Sequence, residues 1–367
     1  MSTRPAVPIL IGALLSLLGG YVVLELVSAG IEFLWITVPE GLGQSPLYVM
    51  LVLLIAAIAV FLIRKHVGDT GHSPIGGIAV HPLTPREYLA AILAIVASLL
   101  GGAVLGPEVA LVSTGAVIGG LVARRFRVAN PTKVVSASAA GGILALFVNP
   151  LLTGSLSLGD APQSVEVDQL FWAVGVALVA ALLTALARFG AIRITGITGN
   201  RPHLPALVVA SLIIGVLAIA LNMWTDLSYA YIATSSEELI TELPTLTSVG
   251  AVVGIVVMKT IAYSVSMGAG FRGGPFFPVM FIGAATGLLF SLIIPSGPQV
   301  TAAVAVGLIA SVIATAPMKW PIAIALGLVL GYLMGGWALV PAAVIGAIVA
   351  RAVPRLGERS ASDSLVH

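Results

Sequence analysis

The sequence predicts an all-α polytopic membrane protein made of two related halves, with helices that are partly broken or half-length. Composition is the first observation behind this. Of 367 residues, 59% are hydrophobic and 9% charged, and mean hydropathy is +1.11. A soluble domain is about a quarter charged, so this chain could not solvate its own surface in water. At about 20 residues per span, its length allows roughly ten crossings. The second observation is where the apolar stretches break. They fall near 8–38, 46–63, 88–105, 109–123, 134–158, 169–187, 204–222, 247–267, 276–294, 300–316, 321–334 and 338–350, and several end at Gly106-Pro107, Asn149-Pro150, Gly274-Pro275 or Ala316-Pro317. Broken helices at membrane depth are tolerated where protein or a water-filled cavity satisfies the freed backbone. The third observation is a repeat. Gly106-Pro107-Glu108 and Gly274-Pro275-Phe276 open similar runs, and Gly274 follows Gly106, as Gly283 follows Gly115, by 168 residues.

The remaining elements follow in order. The first apolar stretch is too long for a signal peptide and ends in no A-x-A site, so it is expected to stay as a membrane helix. Arg64-Lys65 after the second stretch, and Arg351, Arg355 and Arg359 after the last, place both termini in the cytoplasm by the positive-inside rule. Polar connections are expected near 64–87, 124–133, 159–168, 193–203, 234–246 and 351–367. The organisation expected is one transmembrane domain over 1–360, with halves 46–165 and 204–350, and a short cytoplasmic tail at 361–367 with no regulatory domain. The stretches ending at Pro150 and Pro317 extend the repeat at nearly the same offset. A net charge of +2 without a long basic run excludes nucleic acid as a partner. The chain has no cysteine, which excludes disulfides, thiolate metal sites and a cysteine nucleophile. His72, His81 and His203 lie scattered without metal-ligand spacing, so no metal or cofactor is expected. HExxH, GxSxG and GxGD patterns are absent, which argues against an intramembrane enzyme.

The repeated Gly-Pro segments carry the chemistry. A helix start presents unpaired N–H groups and a partial positive charge. Glycine allows close backbone approach, and proline suits the first turn. Two such starts aimed at one point near the midplane bind an anion without a full positive charge. A halide needs only a few weak donors and can leave again, whereas phosphate would call for clustered Arg or Lys. Glu108 sits at one start. Its carboxylate is itself an anion that can occupy the site and leave on protonation, which makes it a candidate gate and proton carrier. The blander reading is a helix-capping carboxylate, but an ionisable residue at membrane depth is a functional hypothesis.

These residues resemble a known family. Gly102-Ala103-Val104-Leu105-Gly106-Pro107-Glu108, with Gly115 and Gly119, resembles the chloride channel (CLC) family's Gly-Arg/Lys-Glu-Gly-Pro segment. Arg272-Gly273-Gly274-Pro275-Phe276-Phe277-Pro278, with Gly283, resembles its Gly-Gly-x-Phe-x-Pro segment, and Lys259 stands where a lysine commonly precedes it. Phe147 to Leu151 and Ala316-Pro317 resemble the stretches that close each half. GPE and GFRGG are most similar to small bacterial ion-transport proteins of the YfeO type. The resemblance implies a CLC-like inverted repeat and a homodimer in the plasma membrane of a bacterium, with one pathway per subunit for chloride or a similar small anion. It implies Glu108 as the gate and a site at Gly106, Pro107, Gly274, Phe276 and Phe277.

The departures are informative. Pro107 replaces the family's arginine, and Val109-Ala110 its Gly-Pro. Pro275 removes a backbone N–H; Arg272 either replaces it with charge, or snorkels to the surface or pairs with an acid. The central serine falls to Ser73 or Thr70, and no tyrosine follows Pro341. Asp160 stands where proton-coupled relatives carry an internal glutamate, and reads either as a proton carrier or as a solvated loop residue. Channel or proton-coupled exchanger, and chloride, fluoride or another anion, stay open at this level.

Overall fold

The computed structural model describes residues 6–69, 75, 80, 82–148, 170–199, 201–237, 239–294, 297–316 and 318–354. Among them, regular structure is helical except for one isolated antiparallel bridge. Seven described helices are long and apolar enough to cross a membrane.

Helix α1 (Ala6–Glu32) continues through a π-helical turn, Phe33–Thr37, into Val38–Gly41. The π turn brings Trp35 inside, where its indole N–H donates to the Leu100 carbonyl at 2.9 Å. Helix α2 (Pro46–His66) starts on proline and ends on Arg64, Lys65 and His66, cations suited to a helix C-terminus. Helix α3 (Pro85–Leu100) opens with a Thr84–Glu87 capping box. Its 16 residues reach about 24 Å, short of a roughly 30 Å hydrocarbon core. Then come α4 (Glu108–Arg125), α5 (Thr132–Leu144), α6 (Phe171–Thr198), α7 (Leu204–Thr225), α8 (Val249–Ala269), α9 (Phe276–Ile293), α10 (Val300–Thr315) and α11 (Trp320–Ala352).

The repeat governs this order. Helices α4 and α9 begin and end 168 residues apart, and α5 and α10 begin 168 apart. The halves also pack alike. A Cβ on Gly115 would lie 2.3 Å from the Ser138 carbonyl oxygen, and one on Gly283 would lie 2.2 Å from that of Gly307. Helix α4 therefore meets α5, and α9 meets α10, at backbone contact through small residues, as membrane helices commonly do.

Three regions sharpen or correct the expectations. Helix α11 is two arms: Gly335 and Gly336 leave helical geometry, and Gly331 and Gly327 face Ala343 and Ala347 across the reversal. This matches the break expected between 334 and 338. Helix α6 runs to Thr198, into the expected polar connection at 193–203. There Arg193 lies over the Phe189 ring at 4.8 Å, and the Thr195 and Thr198 hydroxyls donate to the Gly268 carbonyl at 3.2 and 3.4 Å. The stretch from Tyr229 to Ser236 is buried rather than solvated. Lys259 explains how. Its fully buried ammonium donates to the carbonyls of Thr234 at 2.9 Å and Ala233 at 3.3 Å and to the Ser236 hydroxyl. The Phe281 ring lies 5.2 Å away. A buried charge needs such partners.

Candidate functional site

The two Gly-Pro segments meet each other. The Gly106 amide donates to the Gly274 carbonyl at 2.7 Å, and the Gly274 amide returns a bond to Gly106 at 2.6 Å. Two serines brace this bridge crosswise. Ser98 of α3 accepts from the Arg272 amide, and Ser266 of α8 accepts from the Val104 amide, both at 3.0 Å. Ser98 and Ser266 are 168 residues apart, as are Val104 and Arg272. Each half thus holds the other's entering strand by a symmetry-related bond. Serines are too common in membrane helices for this pair to stand out in sequence.

Glu108, the first residue of α4, is 3% exposed. Its Oε1 accepts from the Phe277 amide at the start of α9 at 2.7 Å. The amides of Phe276 and of Glu108 itself also face the carboxylate. Its Oε2 is buried without a hydrogen-bond partner. The carboxylate is therefore bound through one oxygen and bare at the other, and a buried polar atom left unpaired costs about 1–3 kcal/mol. Gly106 and Gly274 supply space rather than donors, because their amides are spent on the bridge. A Cβ on Gly106 would stand 2.4 Å from Oε2, and one on Gly274 only 1.5 Å from it. Pro107 and Pro275 are the residues immediately before the two helices; neither has an N–H to offer, and donation begins one or two residues on.

Tyr263 of α8 is buried and donates its hydroxyl to the Pro275 carbonyl at 2.9 Å. It fixes the turn from which the Phe276 and Phe277 amides emerge. A lone tyrosine inside an apolar helix carries no motif, so the sequence did not mark it. Tyr263→Phe leaves that carbonyl unpaired, worth about 1–3 kcal/mol. The expected result is a several-fold weaker apparent anion affinity in flux assays, with maximal flux little changed. An unaltered affinity would remove Tyr263 from the site.

Arg272 engages an acid. Its Nη2 lies 2.5 Å from Asp69 Oδ1, and Arg64 grips the same carboxylate through Nε at 2.7 Å and Nη2 at 2.8 Å. Arg64 Nη1 also donates to the Gly270 carbonyl at 2.8 Å. Burial pushes the Asp69 carboxyl up, but hydrogen bonds and charge from Arg64 and Arg272 outweigh it and hold it below the ordinary carboxylate value. Of the two readings for Arg272, the geometry displays ion pairing. Asp69 has no sequence signal of its own, since its partners come from a helix end and a loop about 200 residues away. Thr70, His72, Ser73, Asn149, Pro150, Asp160 and Pro317 lie outside the described residues.

Two inverted halves that aim helix starts at one buried point define a multi-pass membrane transport protein. A sequence profile of the voltage gated chloride channel family matches residues 147–355. That is more than half of the chain, and the chain belongs to this family of anion channels and transporters. The ion-transport protein YfeO of Escherichia coli O17:K52:H18 (strain UMN026 / ExPEC) is 27% identical over 354 residues, 82% of each chain. That of Escherichia coli (strain SE11) is 28% identical over 357 residues at the same coverage. Among solved structures, a slow cyanobacterial Cl−/H+ antiporter superposes with TM-score 0.73 at 16% identity, covering 94% of this chain and 92% of its own. A CLC-type fluoride/proton antiporter superposes with TM-score 0.72 at 17% identity, covering 95% and 94%. At these identities the structural likeness speaks for the fold.

Proposed function

We propose that the chain carries chloride or a similar small anion through the point where the two Gly-Pro segments meet, with Glu108 as the gate. The observation that carries this is the seat of Glu108: a carboxylate on a helix-start amide, between two glycines with no room for a Cβ. An incoming anion would take the place of the carboxylate on the amides of Phe276 and Phe277. The side chain would then swing out, and protonation would keep it from returning. Both structural neighbours are described as proton antiporters, and a carboxylate that alternates with the anion is a natural proton carrier. We therefore favour proton-coupled exchange. Fluoride is the second reading, supported by the tightness of the seat and by the neighbour that exchanges fluoride. Enzymatic activity is not part of the proposal.

We further propose one transmembrane domain over 1–360, with halves 46–165 and 204–350, working as a homodimer. Its setting would be a bacterial plasma membrane with both termini cytoplasmic. The shared 168-residue offset of helix ends and the basic ends of α2 and α11 support this arrangement.

The test is flux of chloride, fluoride and nitrate from proteoliposomes, with and without a proton gradient. Wild type is expected to move protons against one anion. Glu108→Gln is expected to retain anion flux and lose both proton coupling and pH dependence. Flux indifferent to pH and to the substitution would take Glu108 out of the mechanism.

A further inference from the structure

The chain holds a second carboxylate seated on donors, and it is not the one the repeat predicts. Asp69 follows α2 and lies 29% exposed, while the side chains of Arg64 and Arg272 beneath it are 2% and 8% exposed. The carboxylate therefore covers two buried guanidinium groups from their more open side. Among the described residues, two cations share this one anion. Moreover, Arg272 Nε is buried and has no hydrogen-bond partner, so one charged donor is left over even with Asp69 in place. Taking a charge out of water is expensive, and a buried pair is stable only if its donors are satisfied.

The location gives the spare donor a use. Arg272 stands two residues before Gly274, and two extended residues span at most about 7 Å. Its amide is also fixed by Ser98, so the strand that shapes the Glu108 seat carries Arg272 at its other end. At the symmetry-related position the first half has Val104, fully buried and apolar. The cationic cluster, drawn from both halves, therefore has no counterpart at that position, and it breaks the symmetry next to the site.

We propose that Arg64 and Arg272 form a second site for a small monovalent anion, which Asp69 fills as a tethered substitute. The chain then has two carboxylate-occupied anion seats in series: Glu108 on backbone amides and Asp69 on guanidinium donors. An anion at the second seat displaces Asp69 toward water and bonds to Arg272 Nε and to the nitrogens Asp69 vacates. This rests on the proposed anion pathway for its role, but not for its test, which reads binding rather than flux.

The experiment is thermal unfolding of the purified full chain in chloride, nitrate or gluconate, for wild type, Asp69→Asn and Asp69→Asn/Arg272→Gln. Asp69→Asn keeps the shape and removes the tethered charge. Its unfolding midpoint is expected to rise with chloride or nitrate more steeply than that of wild type, because a ligand that binds only the folded state stabilises it by mass action. Adding Arg272→Gln is expected to weaken the apparent anion affinity at least about tenfold, since the charge-assisted donors Nε and Nη2 are both lost. Glu108→Gln, measured alongside, reports the other seat separately. If Asp69→Asn is destabilised equally in chloride and gluconate, Asp69 is a structural ion-pair partner and the proposal fails. Should Asp69→Asn not be recovered in gluconate, extraction in high chloride is expected to rescue it. Failure of both Asp69→Asn and Asp69→Ser to fold in high chloride would equally overturn the proposal.

Discussion

Gly274→Ala is expected to cut transport sharply while leaving the fold intact. The new methyl would lie 1.5 Å from Glu108 Oε2 and 2.5 Å from Cδ. The backbone cannot yield, because the Gly274 amide and carbonyl are both bonded to Gly106. The side chain of Glu108 must therefore leave, and the methyl fills the volume an anion would need. An anion in that volume would meet overpacking of about 1–3 kcal/mol, which predicts roughly a tenfold to hundredfold loss of anion flux. Glu108→Ala on top should not restore it, since the obstruction is the methyl and not the gate. Anion efflux from proteoliposomes checks this, with gel filtration to establish folding. Flux within a few-fold of wild type would show that the pathway passes elsewhere.

The second large effect is on stability. Lys259→Met is expected to destabilise the protein by about 3 kcal/mol, roughly one for each of the three acceptors that lose their donor. Thr234 and Ser236, which those bonds hold, sit at φ of 65° and 57°. Such a conformation is unfavourable for residues other than glycine unless the surroundings impose it. The loss should spread toward the site, because the Thr234 amide donates to the Gly102 carbonyl at 3.2 Å, and Gly102 begins the segment that ends at Glu108. Thermal unfolding together with proteolysis at residues 229–237 would register the change. A variant as stable as wild type, and equally resistant, would show that the loop holds itself.

Much of this fold was legible in the sequence for definite reasons. Helix starts at Glu108 and Phe276 were marked by Gly-Pro pairs, whose backbone constraints act locally. The reversal within α11 was anticipated by the gap between the apolar stretches 321–334 and 338–350, where Gly335 and Gly336 stand. Helix α6 was harder. Arg193 looked like the start of a loop, and only the Phe189 ring and the Gly268 carbonyl let the helix continue through it. Residues 234–236, expected in a polar connection, are buried for a similar reason. Thr and Ser are loop formers by composition, and the ammonium that makes them an interior segment comes from another helix.

The site divides along the same line. Gly106, Pro107, Glu108, Gly274 and Phe276 stood out as two Gly-Pro helix starts of which one carries a carboxylate, and the family resemblance added Phe277. The repeat is a property of the chain alone, so the sequence determined that two helix starts would be related and which one would bear charge. It also determined that the point lies in a membrane, since composition leaves no other solvent for the chain. Tertiary structure decided what each residue does there. It spent the two glycine amides on a bridge, so that the glycines provide clearance rather than donors. It turned Tyr263 toward the Pro275 carbonyl and paired Arg272 and Arg64 with Asp69. Periodicity and local backbone preference are written in neighbouring residues and survive without a fold. A hydrogen bond between residues 150 or more apart exists only when two halves close on each other, and such bonds join the two Gly-Pro segments and seat Glu108.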